Sequence, residues 1–260
     1  MSKRILIASI LLALFFASCQ ETEDGCLDLL SSNYNFNAVS ECDSCCIYPN
    51  VVFNYRIDYD TSLSRALLDT FELASNDSIF LNSLKLSTGS FTFVGPNNTY
   101  SIRDLIKVND VFIEDDYILA ENTTSYTIGQ VRYAGQTNSV LFSVGIDSAE
   151  VSGWGSLDNI DQRSNLDMLM DSMYLRDTKK VALMRIDLEV ADSLRQLVIS
   201  SDVALDFDRP IDKSNDFGEN ITFNIRIDLK SLTQDIDATL SNIEMEILIA
   251  DRIAESISIE

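Results

Sequence analysis

The chain contains no histidine in 260 residues. That absence excludes Ser-His-Asp and Cys-His nucleophile systems, HExxH zinc sites, histidine-ligated copper and CxxCH haem attachment. An enzyme built from this sequence would have to run on carboxylates, lysine or tyrosine alone, and the expectation is a protein that is not an enzyme. Glycine and proline are scarce, at nine and three residues, so turns must rest on Asn, Asp and Ser. Trp154 is the only tryptophan. Basic residues are few as well: 19 Lys and Arg stand against 41 Asp and Glu, a formal charge of −22. Phosphate backbones and anionic lipid head groups repel such a chain, which excludes nucleic acid as a partner.

At the N-terminus, Lys3 and Arg4 precede an apolar run from Ile5 to Phe16 and then Ala17-Ser18-Cys19. A positive end, a short apolar segment and small residues make a secretory signal. The run is shorter than the roughly 20 residues a spanning helix needs. The cysteine after the small pair resembles the lipobox of bacterial lipoproteins. That resemblance implies cleavage after residue 18 and a diacylglycerol on the Cys19 thiol. Residues 1–18 are then a signal peptide, whose removal takes away Lys3 and Arg4 and no acid and moves the charge from −22 to −24. Membrane attachment must come from acyl chains, at about 0.8 kcal/mol per buried CH2. The acidic tether 19–25 resembles the surface-export signal of Bacteroidota lipoproteins, and Gln20 does not resemble an inner-membrane retention signal. The expected location is the outer membrane, on its surface or periplasmic face.

Residues 26–49 hold Cys26, Cys42, Cys45 and Cys46. A zinc site made from all four is one reading. In an oxidising envelope, cysteines so close in sequence more often form disulfides. Adjacent Cα atoms lie about 3.8 Å apart, nearer than the roughly 4.4 Å minimum of a disulfide. Cys45 and Cys46 therefore bond elsewhere, leaving two connectivities open. With no core of its own, the segment reads as a stapled spacer. Its Gly25-Cys26-Leu27-Asp28, Asn33-Tyr34-Asn35 and Cys46-Ile47-Tyr48-Pro49 resemble a cysteine module repeated in secreted Bacteroidota proteins.

Residues 50–260 are mostly of period two. In 221–230, Ile221, Phe223, Ile225, Ile227 and Leu229 alternate with Thr222, Asn224, Arg226, Asp228 and Lys230, a half-buried strand. Ala182, Met184, Ile186 and Leu188 form a second set, Val140, Phe142, Val144 and Ile146 a third, and Val203, Leu205 and Phe207 a fourth. Further strand signals lie at 51–59, 79–86, 90–94, 111–119 and 126–133. Helical patterns are few, 161–173 and a turn or two near 231–240, with no internal repeat. The fold class is all-β: an antiparallel, immunoglobulin-like β-sandwich behind a small disulfide-stapled segment.

Within this body, Phe142-Ser143-Val144-Gly145-Ile146-Asp147-Ser148, Gly155-Ser156-Leu157-Asp158, Met173-Tyr174 and Val52-Phe53-Asn54-Tyr55 resemble the MbnP-like family. That family is named for a periplasmic copper-binding protein of methanobactin operons, and the resemblance implies a β-sandwich. The chain departs from the pattern: Tyr55 stands where copper-binding members place a histidine, Met173-Tyr174-Leu175 lacks the family's tryptophans, and Asn159 replaces the proline of the Leu-Asp-Pro turn. Tight copper sites draw on imidazole, thiolate or thioether, so copper is not expected here. Met168, Met170, Met173, Met184 and Met245 are the only thioethers left in the mature chain.

Two weaker candidate sites remain. Asp147, Asp158 and Asp161 are clustered carboxylates of the kind that hold Ca2+. In so acidic a chain the simpler reading is a turn cap at Asp147 and solvated side chains after it. Trp154, flanked by Gly153 and Gly155, could stack on a glycan or protein partner. Carboxylate pairs can also serve a glycosidase, but any acidic chain offers them by chance. The expected function is a non-catalytic envelope lipoprotein that binds an unknown ligand, with a metal-handling lipoprotein using carboxylates for a hard cation as the alternative. No cofactor is expected.

Overall fold

In the N-terminal segment, strands β1 (Asp24–Gly25) and β2 (Ser40–Glu41) pair in parallel. The body runs through β3 (Asn50–Asp58), β4 (Thr70–Glu72), β5 (Ser78–Val94), β6 (Thr99–Ser101), β7 (Leu105–Val108), β8 (Val111–Glu114), β9 (Ile118–Glu121), β10 (Ser125–Gln130) and β11 (Gly135–Val144). Helices α1 (Ser148–Gly153) and α2 (Asn165–Met173) follow, then β12 (Tyr174–Leu175), β13 (Lys180–Val190), β14 (Ser193–Ser200), β15 (Leu205–Asn215) and β16 (Ile221–Asp228). Helices α3 (Leu229–Leu232) and α4 (Asn242–Ser256) lead into β17 (Ile257–Ile259). The computed structural model describes residues 23–42, 44–60, 67, 69–102, 105–108, 111–114, 116–153 and 164–260. No helix among them is long and apolar enough to cross a membrane.

The strands form a sandwich. The smaller sheet has the order β10-β3-β16-β17; the larger is β12-β13-β5-β11-β15, with β14 on β13 and β4, β6 and β9 on β5. Strand β5 is the spine of the larger sheet. One of its edges pairs in turn with β4, β9 and β6, the other with β13 and then β11. Its 17 residues span what the sequence pattern splits into 79–86 and 90–94. The split falls at a bulge. Ser90 has a φ of 56°, and the register to β11 slips between Leu141 and Ser143. One extra residue reverses which side chains face inward, so the alternation resets although the strand continues.

Phenylalanines bridge the two sheets. Phe53 of the small sheet meets Phe91 of β5 at 4.2 Å between ring centroids, and Phe93 stacks on Phe223 at 5.0 Å. Phe142 continues the line to Phe207 at 4.9 Å. The alternating sets at 221–229, 182–188 and 140–146 are all buried, as their period requires. Val203 departs from its set and is exposed, because β15 begins only at Leu205. A second, smaller core lies around Leu166, Leu169 and Met173 of α2, with Ile146, Val181 and Ala182.

Of the elements the sequence pattern misses, the two longest are β14 and α4. Strand β14 pairs with β13 over Ala182–Val190, although its Ser193, Leu194 and Gln196 are exposed. The turn or two expected near 231–240 is the four-residue α3, and the long C-terminal helix at 242–256 lies beyond it. Its start is fixed by a capping box: Ser241 Oγ accepts from Glu244 N at 3.3 Å and the Glu244 carboxylate accepts from Ser241 N at 2.8 Å. Met245, Ile249 and Ile253 bury one face of this helix in the main core.

In the N-terminal segment Cys26 bonds Cys46 and Cys42 bonds Cys45, with Cα atoms 5.0 and 5.6 Å apart. This is one of the two connectivities left open, and it removes the thiolates a zinc site needs. The segment is seated on the body rather than strung before it. Asp28 accepts from Arg132 Nε at 2.6 Å and from the Tyr48 hydroxyl at 2.9 Å. Val131 N donates to Pro49 O at 3.0 Å. Gly218, at φ +74°, comes so close that a Cβ there would stand 2.7 Å from the Ser31 carbonyl oxygen. Only glycine permits both that angle and that approach.

Candidate functional site

In the small sheet, β3 and β16 lie side by side in parallel, with Phe223 opposite Phe53, Asn224 opposite Asn54, Arg226 opposite Arg56 and Asp228 opposite Asp58. The two strands carry the same pattern: Phe53-Asn54-Tyr55-Arg56-Ile57-Asp58 and Phe223-Asn224-Ile225-Arg226-Ile227-Asp228. The body therefore does contain a repeat, a hexapeptide recurring after 170 residues, which a search for regular periods does not find. Parallel pairing in register sets like beside like. Phe53 stacks on Phe223 at 5.4 Å inside, and Asn54 Nδ2 donates to Asn224 Oδ1 at 3.1 Å outside.

Two arginines side by side repel unless an anion stands between them. Asp58 supplies it. Its carboxylate takes Arg56 Nε on Oδ1 at 2.7 Å and Arg226 Nε on Oδ2 at 3.0 Å, and its side chain is only 3% exposed. The second aspartate has a different task. Asp228 Oδ1 accepts from the backbone N–H groups of Lys230, Ser231 and Asp60, capping α3 and fixing the turn after β3. Arg226 also donates through Nη2 to the Asp60 carbonyl, so two bonds hold it. Arg56 makes one bond and is 46% exposed. Its terminal nitrogens bond nothing else among the described residues.

These side chains line a cleft of about 370 Å³ on the outer face of the sheet, with Asn54, Arg56, Thr123, Asn224, Arg226 and Glu260 around it. The arginine–aspartate–arginine group carries one net positive charge, which the Glu260 carboxylate among the lining residues balances. Two amides, a hydroxyl and a guanidinium end with free donors suit a ligand rich in oxygen acceptors. The one aromatic among the lining residues is Tyr55, whose side chain belongs to the core. Tyr55 is 1% exposed with its hydroxyl 2.6 Å from Thr88 Oγ1, and burial drives its phenol far above the ordinary value. Tyr55 thus faces inward as packing.

The expected site residues fare differently. Cys19, Trp154, Asp158 and Asp161 lie outside the described residues. Asp147 is exposed, and its carboxylate accepts from Ala204 N at 2.6 Å, tying the end of β11 to the loop before β15. Ser148 reinforces this corner by donating from its backbone N and from Oγ to the Asp202 carbonyl, at 3.0 and 3.1 Å. Gly145, at φ +85°, makes the turn against Leu183. The Phe142–Ser148 stretch is thereby accounted for as packing and corner geometry. Among the described residues, no three His, Cys, Asp or Glu side chains are placed to hold a metal. Met184 and Met245 are buried in the main core and Met173 in the smaller one. The cleft residues went unread because Asn224, Arg226 and Asp228 look like an ordinary solvated strand face; the repeated hexapeptide was the available signal.

No protein-family model matches the chain and no curated protein matches it. Among solved structures, MbnP from Methylosinus trichosporium is similar at a TM-score of 0.42 and 10% identity, covering 72% of this chain and 78% of that one. So loose a likeness carries no argument about function, which rests on the residues themselves.

Proposed function

We propose that the protein is a lipid-anchored, non-catalytic binding module of the bacterial outer envelope, and that it takes an oxygen-rich ligand in the cleft between its twinned strands. The observation that carries the reading is Arg56: a half-exposed guanidinium steadied through one nitrogen by buried Asp58, with its donating end turned to the cleft. The signal and Cys19 support the anchor. A chain without histidine and with its other four cysteines bridged supports binding without catalysis and without copper.

A thermal-shift screen of the mature protein against oligosaccharides, uronates and dicarboxylates, with Ca2+ and Cu+ as further arms, tests the ligand class, since a bound ligand raises stability by RT ln(1 + [L]/Kd). A hit that Arg56→Ala abolishes supports the cleft. Stoichiometric copper kept against a chelator of nanomolar affinity would replace this reading with metal handling. Intact mass of membrane-extracted protein should show an acylated Cys19, and unmodified mature protein free in the medium would remove the anchor.

A further inference from the structure

Seven of the twelve exposed large apolar side chains among the described residues lie in the stapled segment or in the β15–β16 loop that touches it. Phe36 is 77% exposed, Val39 67%, Leu29 58% and Ile47 52%. Want of a core explains some exposure in so short a segment. It does not explain Phe217, 68% exposed in the β15–β16 loop of a body in which no other phenylalanine of described burial is exposed. Phe217 precedes Gly218, which meets Ser31 and Ser32, and Ser32 N donates to Ile47 O at 2.7 Å. Phe217, Ile47 and Leu29 thus share one neighbourhood. Val39 N donates to Glu23 O at 3.0 Å, which places Val39 and the nearby Phe36 where the tether enters the structure.

Three residues separate Cys19 from Glu23, and the four steps between them reach at most about 14 Å. With Cys19 acylated, the segment cannot leave the bilayer surface. No Lys or Arg occurs between Cys19 and Tyr55, so the patch has nothing with which to attract anionic lipid. We propose that the exposed apolar side chains of Phe36, Val39, Ile47, Leu29 and Phe217 rest on the bilayer that holds the anchor, at the boundary of head groups and acyl chains. The proposal rests on the lipid-anchor reading. It makes the segment a foot that orients the sandwich on the membrane.

The test uses the mature chain from Cys19, whose thiol is the only one outside the two disulfides. Coupling that thiol to a maleimide lipid in phosphatidylcholine vesicles supplies the anchor whether or not cells acylate it. In a Trp154→Phe background, Phe36→Trp, Phe217→Trp and, as a control on α4, Ile243→Trp each place one fluorophore. All three positions are exposed, so folding should survive. Lipids brominated near the head group should quench the first two fluorophores at least about twofold more than the third, as shallow insertion requires. Equal, weak quenching at all three would overturn the proposal alone. So would sedimentation of the uncoupled chain as a dimer that Phe36→Ser dissociates, since the patch would then belong to a second copy. Unacylated Cys19 in cell-derived protein would overturn the anchor reading and, with it, the proposal.

Discussion

Between Cys26 and Pro49 two disulfides hold the chain and Phe36 stands 77% exposed; from Asn50 to Ile259 there is no cysteine, and Phe53, Phe91, Phe93 and Phe223 are buried at 0–1% exposure. The first region is too short to enclose anything, so cross-links restrain it and its apolar side chains remain outside. The second has two sheets to set face to face, and burial suffices. Stability and surface character therefore divide along the chain: the covalently held end has the denser share of exposed apolar side chains, and the end held by packing buries most of its own.

The sharpest way to break this contrast is Phe53→Ala, which removes the ring that touches both Phe91 and Phe223. It should cost about 3–5 kcal/mol in urea unfolding of the body; a loss under about 1 kcal/mol would mean that packing is not what holds the sheets. Replacing both Cys26 and Cys46 by serine should remove about 2–4 kcal/mol from the segment alone. Hydrogen exchange would then rise in 26–49 while the body keeps its melting temperature, and a body that melted in step would erase the distinction. Asp58→Ala sharpens the picture from within the body by leaving Arg56 and Arg226 adjacent and uncompensated. About 2 kcal/mol is expected, discounted because Arg56 is half exposed, and Phe53 packing should be unchanged by near-ultraviolet dichroism. The smallest effect concerns the joint. The Leu30 N–H, and after it the Arg132 guanidinium, hold the Asp28 carboxyl below its ordinary 3.8. A lowered acid stabilises the folded state above that value and stops doing so as pH falls through the folded one. Exchange at the segment–body contacts should therefore rise only on acidification below about 3.8, and Asp28→Asn should remove that dependence.

The fold was legible wherever one face of a strand is buried and the other wet, because period two then survives unbroken, as in Ile221–Asp228 and Val140–Val144. It failed where a local device interrupts the count: the bulge at Ser90 cut β5 in two. It also failed for α4, whose signal was present as Ser241-Asn242-Ile243-Glu244 before Met245, Ile249 and Ile253. The disulfides were readable as a set but not as pairs, since either partner of the vicinal cysteines satisfies the geometry. The cleft was hidden for a different reason. Arg56 and Arg226 meet only through a parallel pairing that joins positions 170 residues apart, and each strand alone displays an unremarkable polar face.

That same pairing imposes an order of events on the growing polypeptide. A chain is made from its N-terminus, and β3 is the first strand of the body to emerge, yet its partner β16 follows only after nearly the whole domain. Until then one edge of β3 has unpaired backbone groups, and Val51, Phe53, Tyr55 and Ile57 have no enclosed space to enter. The large sheet, built from hairpin neighbours such as β13 and β14, can assemble in the meantime. The small sheet must close last, by a contact of very long sequence separation, which is slow. In refolding followed residue by residue, protection of β3 should trail that of β13 and β14, and the waiting strand is where a holdase would act.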